Sequence, residues 1–255
     1  MSKDLIFDNN VLEYDRLRPK YVEEMYEKII HYVNLNRDSK ILEIGCGTGQ
    51  ATERFLKTGA ELLAIEPGEK MASFVLGKFC DYDNFKIINS LFEKADIQNE
   101  KYDLVFSATA FHWVDEEVGY KKIYDVLKPN GTIALFWNKP FLNKKDDPLH
   151  REIQAIYKKY RSSESEPVEY DFDVYEKIKR KIENNGFKSL EFNIYEGLRE
   201  YSSEDYIKLL NTYSDHMATK QDIKNALEND IKIAIEKYGN VVKIHDVIDL
   251  YIAKK

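Results

Sequence analysis

The stretch ILEIGCGTGQ, residues 41–50, decides the fold of this chain. Ile41 to Ile44 is a short apolar run of the kind that forms a buried strand, and it leads straight into Gly45, Gly47 and Gly49. Gln50 to Lys57 then reads as a helix, with Gly59 placed to cap it. The unit is strand, glycine loop, helix. Glycines there let the backbone approach a ligand closely, and the start of the helix offers free N–H groups.

Working outward, the same rhythm repeats. Leu62 to Ile65, Phe85 to Ile88, Tyr102 to Ser107 and Thr132 to Trp137 read as strands, the last entered through the turn Pro129-Asn130-Gly131. Glu69 to Leu76 and Glu116 to Leu127 read as the helices between them. Such alternation predicts a parallel sheet covered on both faces, a Rossmann-like doubly wound α/β fold. Upstream, PKYVEEMYEKIIHYV (19–33) predicts a helix opened by Pro19. Downstream, helices are expected over 146–160, 173–184, from Ser202 and over 220–238, with strands over 189–195 and 241–251 and a polar link at 162–167. We therefore expect one domain over 1–255. Its parts are an N-terminal helical lid (1–35), a cofactor-binding core (36–138), helical cap insertions (139–170 and 200–239) and the remaining core (171–199 and 240–255).

Bulk properties narrow the function. A chain of 255 residues can bury one large core, and its formal charge of −7 speaks against a general nucleic-acid surface, which needs a basic stripe. Cys46 and Cys80 are the only cysteines, too few for a disulfide framework or a four-thiolate zinc site, and the histidines show no metal-ligand spacing. The charged N-terminus does not read as a secretory signal, and no run of about 18 apolar residues is long enough to span a membrane. The expectation is a soluble, cytoplasmic protein with no metal and neither membrane nor nucleic acid as partner; its oligomeric state stays open.

Two carboxylates specify the glycine loop further. Glu66 ends the second strand, where an acid can bind the two ribose hydroxyls of a nucleotide. Glu43 stands two residues before Gly45, where it would repel a diphosphate but suit a cationic ligand. S-adenosylmethionine carries a sulfonium and an ammonium and no phosphate. The GxGxG spacing also differs from the GxGxxG of dinucleotide sites.

On these residues the chain resembles class I S-adenosylmethionine-dependent methyltransferases. ILEIGCGTGQ is similar to their first motif and AIEPG (64–68) to their second-strand acidic motif. KYDLVFSATAFHWVD (101–115), VLKPNGTIALFWN (126–138) and YDRLRPKY (14–21) resemble a small-molecule subgroup that includes trans-aconitate methyltransferase-like proteins. The resemblance implies a seven-stranded sheet with an antiparallel last strand and S-adenosylmethionine as cofactor. It implies that Gly45, Gly47 and Gly49 contact the methionine part, Glu66 the ribose, and Pro67 and Met71 the adenine. Ser90, Leu91 and Phe92 would lie along the adenine edge. The acceptor it implies is a small molecule, leaning towards a carboxylic acid.

Methyl transfer needs an in-line nucleophile and a site closed to water, and a base only if the acceptor must lose a proton. His112 follows the fourth strand and is the candidate base or acceptor-orienting donor, or else a loop anchor. Tyr14 is a candidate for the methyl region. Arg18 is a candidate partner for a carboxylate of cofactor or substrate. Arg199, Tyr201, Tyr213 and His216 are candidate acceptor contacts in the cap. Two other readings share the glycine loop: an NAD(P)-dependent oxidoreductase, and a non-catalytic S-adenosylmethionine sensor.

Overall fold

The computed structural model describes residues 11–99, 101–161 and 166–255. Residues 1–10 of the expected lid and 162–165 of the expected link lie outside the described residues. The strands are β1 (Lys40–Ile44), β2 (Glu61–Glu66), β3 (Phe85–Asn89), β4 (Tyr102–Ala108), β5 (Leu127–Phe141), β6 (Lys188–Tyr201) and β7 (Val242–Lys254). They form one sheet in the order β3-β2-β1-β4-β5-β7-β6. All neighbours among the first five are parallel, and β7 runs antiparallel to both β5 and β6. This is the Rossmann-like α/β sheet with an antiparallel last strand.

Alternate residues of each strand face opposite ways, so the sheet builds a core on each side. Ile41, Leu104 and Phe106 join one cluster with Met25, Ile29 and Phe55. Leu42, Val105 and Ile133 join the other with Tyr120, Ile123 and Tyr175. The first is covered by α2 (Glu23–Val33), α3 (Thr52–Leu56) and α4 (Glu69–Lys78), the second by α5 (Glu116–Val126) and α7 (Phe172–Asn184). A third cluster joins α6 (Pro148–Tyr160), α8 (Ser203–Leu210) and α10 (Gln221–Lys237) through Leu149, Ile153, Leu209, Leu227 and Ile231. Local chemistry sets the ends of these helices. Asp147 accepts hydrogen bonds from the N–H groups of Leu149 and His150, with Pro148 in the first turn, and Ser202 accepts from Asp205.

Tertiary contacts moved several boundaries. The helix expected from Pro19 starts at Glu23, because Val22 is extended and the Tyr21 ring turns in to pack edge-on against Phe136, 4.8 Å away. A separate short helix, α1 (Val11–Leu17), precedes it. The strand expected over 189–195 continues to Tyr201, paired with β7 as far as Val242. A one-turn helix, α9 (Ser214–Met217), interrupts the cap. Among the described residues, no helix is long and apolar enough to cross a membrane.

The chain runs β1 to β3 outward on one side, then crosses to β4 and β5 on the other. The order reverses between β1 and β4, and ligands bind outside the carboxyl ends of the strands at such a switch point.

Candidate active site

A cavity of about 380 Å³ opens at that switch point. Gly45 and Gly47 line it, with φ of +68° and +56°, a backbone region that side chains disfavour. A Cβ on Gly45 would lie 2.6 Å from the Cβ of Ala110, so the loop can pass the end of β4 only as glycine. A Cβ on Gly47 would stand in the cavity itself, beside Gln50 and Tyr14.

Glu66 is the main charged group of this wall. One carboxylate oxygen accepts from the Gly47 N–H at 2.8 Å and the other from the Gly68 N–H at 2.9 Å. The side chain is buried yet lines the cavity, with Pro67, Met71, Leu91 and Phe92 beside it. Lys78 ties the loop from outside, donating to the Thr48 carbonyl and pairing with Asp15 of α1 at 2.6 Å.

The N-terminal segment and the cap meet over the opening. The Arg18 guanidinium lies between two rings, 4.6 Å from the Tyr14 centroid and 4.3 Å from that of Tyr213. It also donates to the Thr212 carbonyl. Arg16 forks onto Asp205 at 2.8 and 3.2 Å, holding α1 to α8.

The opposite wall comes from the ends of β4 and β5. Thr109 has φ +53°, rare for a β-branched residue and costing of order 1–3 kcal/mol. Its hydroxyl shares a hydrogen bond with Tyr21 at 2.7 Å and accepts from the Asn138 N–H at 3.0 Å. Beside it the Trp137 indole donates to Nδ1 of His112 at 3.2 Å. An indole N–H only donates, so a neutral His112 carries its own proton on Nε2. Burial lowers the pKa of that ring, which favours the neutral form.

Comparison with known proteins agrees with this geometry. Residues 42–135 match the family model described as a methyltransferase domain. An uncharacterized methyltransferase of Schizosaccharomyces pombe is 28% identical over 209 residues, 82% of this chain and 78% of its own length. A probable S-adenosylmethionine-dependent methyltransferase of Saccharomyces cerevisiae is 31% identical over 131 residues, 49% of this chain and 43% of its own. These matches support an S-adenosylmethionine-dependent methyltransferase. Among solved structures this chain is similar to a Haemonchus contortus phosphoethanolamine N-methyltransferase bound to phosphomonomethylethanolamine and S-adenosylhomocysteine. The TM-score is 0.57 at 14% identity, over 100% of this chain and 60% of that one. It is also similar to the YcgJ protein of Bacillus subtilis, with TM-score 0.58 at 14% identity, over 92% of this chain and 99% of that one. At such identity the likeness is one of fold.

The methyltransferase brings most of the residues singled out from sequence to one cavity: Tyr14, Arg18, Gly45, Gly47, Glu66, Pro67, Met71, Leu91, Phe92 and His112 all line it. Three do not. Gly49 faces away, with Phe79 and Val75 closing on its α-carbon, so its glycine serves helix packing. Ser90 turns its hydroxyl to the Leu91 carbonyl, and Glu93 takes its place in the wall. Glu43 lies beneath the loop, 1% exposed, with one carboxyl oxygen accepting from the Thr52 hydroxyl at 2.7 Å.

Burial pushes the Glu43 carboxyl up to about 8. At neutral pH it is therefore mostly protonated in this structure, which removes the direct charge attraction expected of it. A carboxyl whose folded pKa is raised adds stability that is complete below its unfolded pKa and is lost as pH rises through the folded one. The melting temperature should then fall between about pH 4.5 and pH 8, and Glu43→Gln should flatten that fall. An unchanged pH slope in this variant would show that Glu43 is ionised in the native state.

Among the cap candidates, Arg199 and Tyr201 are strand residues instead. Arg199 forks onto Asp246 of β7, and the Tyr201 hydroxyl donates to the Leu17 carbonyl at 2.7 Å. His216 is buried with Nε2 against the Tyr157 hydroxyl, outside the first cavity. Tyr213 does line it. Sequence reasoning missed Tyr21, Gln50, Thr109 and Asp215 in the lining, since nothing in their local sequence marks them. Cys46 lines the cavity too, but burial raises its thiol pKa, which disfavours the reactive thiolate. Among the described residues, no group of three or more His, Cys, Asp and Glu side chains is arranged to hold a metal ion.

Proposed function

We propose that this methyltransferase holds its cofactor along the glycine loop and methylates a small carboxylic acid, with residues 11–35 of the expected lid over the opening and the helices of 139–170 and 200–239 as cap. The Glu66 carboxylate carries the reading. Gly47 and Gly68 fix both its oxygens at the cavity wall, where a carboxylate can accept from the hydroxyls of a ribose. Its contact with the Gly47 N–H also puts negative charge where a dinucleotide would need its diphosphate, against the oxidoreductase alternative. Pro67, Met71, Leu91 and Phe92 offer the apolar slot beyond, for the adenine. Gly45 and Gly47 leave room for the methionine part, and Arg18 supplies the positive charge for its carboxylate. Tyr14 covers Gly47 and excludes water.

When bound, S-adenosylmethionine supplies a methyl group on a sulfonium: the acceptor oxygen takes the methyl, and the sulfur keeps the electron pair of the broken bond. A carboxylate acceptor has no proton to lose, so no general base is required. His112 fits that need. With Nδ1 engaged by Trp137, it presents an Nε2–H donor that can orient an acceptor oxygen. The resemblance over residues 40–138 to trans-aconitate methyltransferase-like proteins leans the same way.

A product-detection assay across small carboxylic acids, phenols and amines tests the reading. Methyl esters are expected; methylated amines or phenols without any ester would overturn the acceptor class. Loss of one donor to a charged oxygen costs about 1.5–3 kcal/mol, so His112→Ala should lower kcat roughly 10- to 100-fold with cofactor affinity kept. His112→Gln, which donates but has no useful basicity, should recover much of that rate. Failure of the glutamine variant beside an equally slow alanine variant would return His112 to the role of base.

A further inference from the structure

A second cavity of about 300 Å³ lies under the cap, and nothing above gives it a role. It shares Pro140, Tyr213 and Asp215 with the first cavity, so the two spaces meet at these three residues. At the end of β5 and just past it, Asn138 and Pro140 line the first cavity, while Pro140 and Leu142 line the second. One strand edge thus forms a continuous wall from His112 into the cap.

The chemistry of the second cavity is apolar. Leu142, Tyr157, Tyr206, Leu210 and Ile244 form its sides. Its charged side chains already pair with one another: Arg161 with Asp215 at 2.8 Å, and Lys158 with Glu166 at 2.6 Å at the rim. His216 shares a hydrogen bond with the Tyr157 hydroxyl at 3.0 Å, and burial lowers its pKa to about 4, so it is neutral. Such walls are costly for a charge and favourable for hydrocarbon. In the first cavity the glycine loop, Glu66 and the slot beside it are given to the cofactor. Room for more of the acceptor than its reacting end lies past Tyr213.

We propose that the second cavity binds an uncharged alkyl or aryl tail of the methyl acceptor, whose carboxylate lies beside His112 in the first. The acceptor is then an elongated amphipathic acid, an inference that rests on the carboxylic-acid reading for its head. Tyr213 stands at the neck, its ring against Arg18 and lining both cavities.

Calorimetry separates tail from head. Butanoate, hexanoate, octanoate and decanoate are titrated into the protein saturated with S-adenosylhomocysteine, and ester formation is followed separately with S-adenosylmethionine. Affinity should rise by up to about fourfold per added methylene, the limit set by transferring one CH₂ from water to an apolar site. Gln154→Trp, from the half-buried edge of the cavity, and Leu142→Trp should each abolish that rise while S-adenosylhomocysteine still binds. Binding of the thioether checks that each variant is folded. Affinity that stays flat with chain length, or a rise unchanged in both folded variants, overturns the tail site. Esters formed without length dependence would keep the head-group reading and reject the tail. Length-dependent binding without any ester would keep the tail site and reject the carboxylate head.

Discussion

Gly49→Ala is expected to lower the melting temperature far more than it alters cofactor binding. Gly49 has φ +83°, and a Cβ there would fall 2.6 Å from the Phe79 ring and 2.8 Å from a Val75 methyl. Both neighbours are buried in the core beneath α4 and have little room to retreat. The left-handed backbone costs an alanine about 1–2 kcal/mol, and overpacking a filled core costs about 1–3 more. At about 2–4 °C per kcal/mol for a chain near this size, Tm should drop by roughly 4–20 °C. Gly47→Ala makes the contrasting control. Its added methyl meets nothing closer than 3.8 Å, so it strains the loop less and intrudes on the ligand space instead. Thermal melts and cofactor titrations of the two variants should show opposite emphases. A Gly49→Ala protein as stable as the wild type would mean that α4 shifts freely, and the packing account would fail.

The second large effect is on the cofactor. Glu66→Ala removes the carboxylate proposed for the ribose and leaves the Gly47 and Gly68 N–H groups without that partner. Losing such a charged hydrogen-bonding group costs about 1–3 kcal/mol, so S-adenosylmethionine should bind roughly 5- to 150-fold more weakly by calorimetry. Glutamine should not rescue it, because its NH₂ would face an N–H donor where a carboxylate oxygen now accepts. Unchanged affinity in both variants would take Glu66 out of the ribose site.

Much of the fold was legible in the sequence because its signals are local. The apolar run at Ile41 to Ile44, the glycines after it and the alternation of strand and helix up to Trp137 each follow from the period of buried side chains and from backbone conformations only glycine adopts readily. Boundaries failed where a distant partner decided them. Tyr21 leaves the helical pattern to reach Phe136 and Thr109, and β6 extends to Tyr201 because β7 offers a ladder that far.

The two acids show the same division within the site. In sequence, Glu43 and Glu66 look alike, each near the end of a strand and each close to the loop. Glu43 points under α3, where Thr52 donates to it and burial keeps its proton. Glu66 ends its strand facing the loop, where two backbone N–H groups hold its charge at the cavity wall. The amino-acid sequence by itself determined the sheet, the glycine loop and the class of cofactor, since these rest on residue types at fixed short spacing. The tertiary structure alone decided which carboxylate faces the cavity, that Gly49 serves the core and that the His112 ring accepts from Trp137 at Nδ1. It also decided that Pro140, Tyr213 and Asp215 stand where the two cavities meet, since each of these depends on segments far apart in the chain meeting at the ends of β1, β4 and β5.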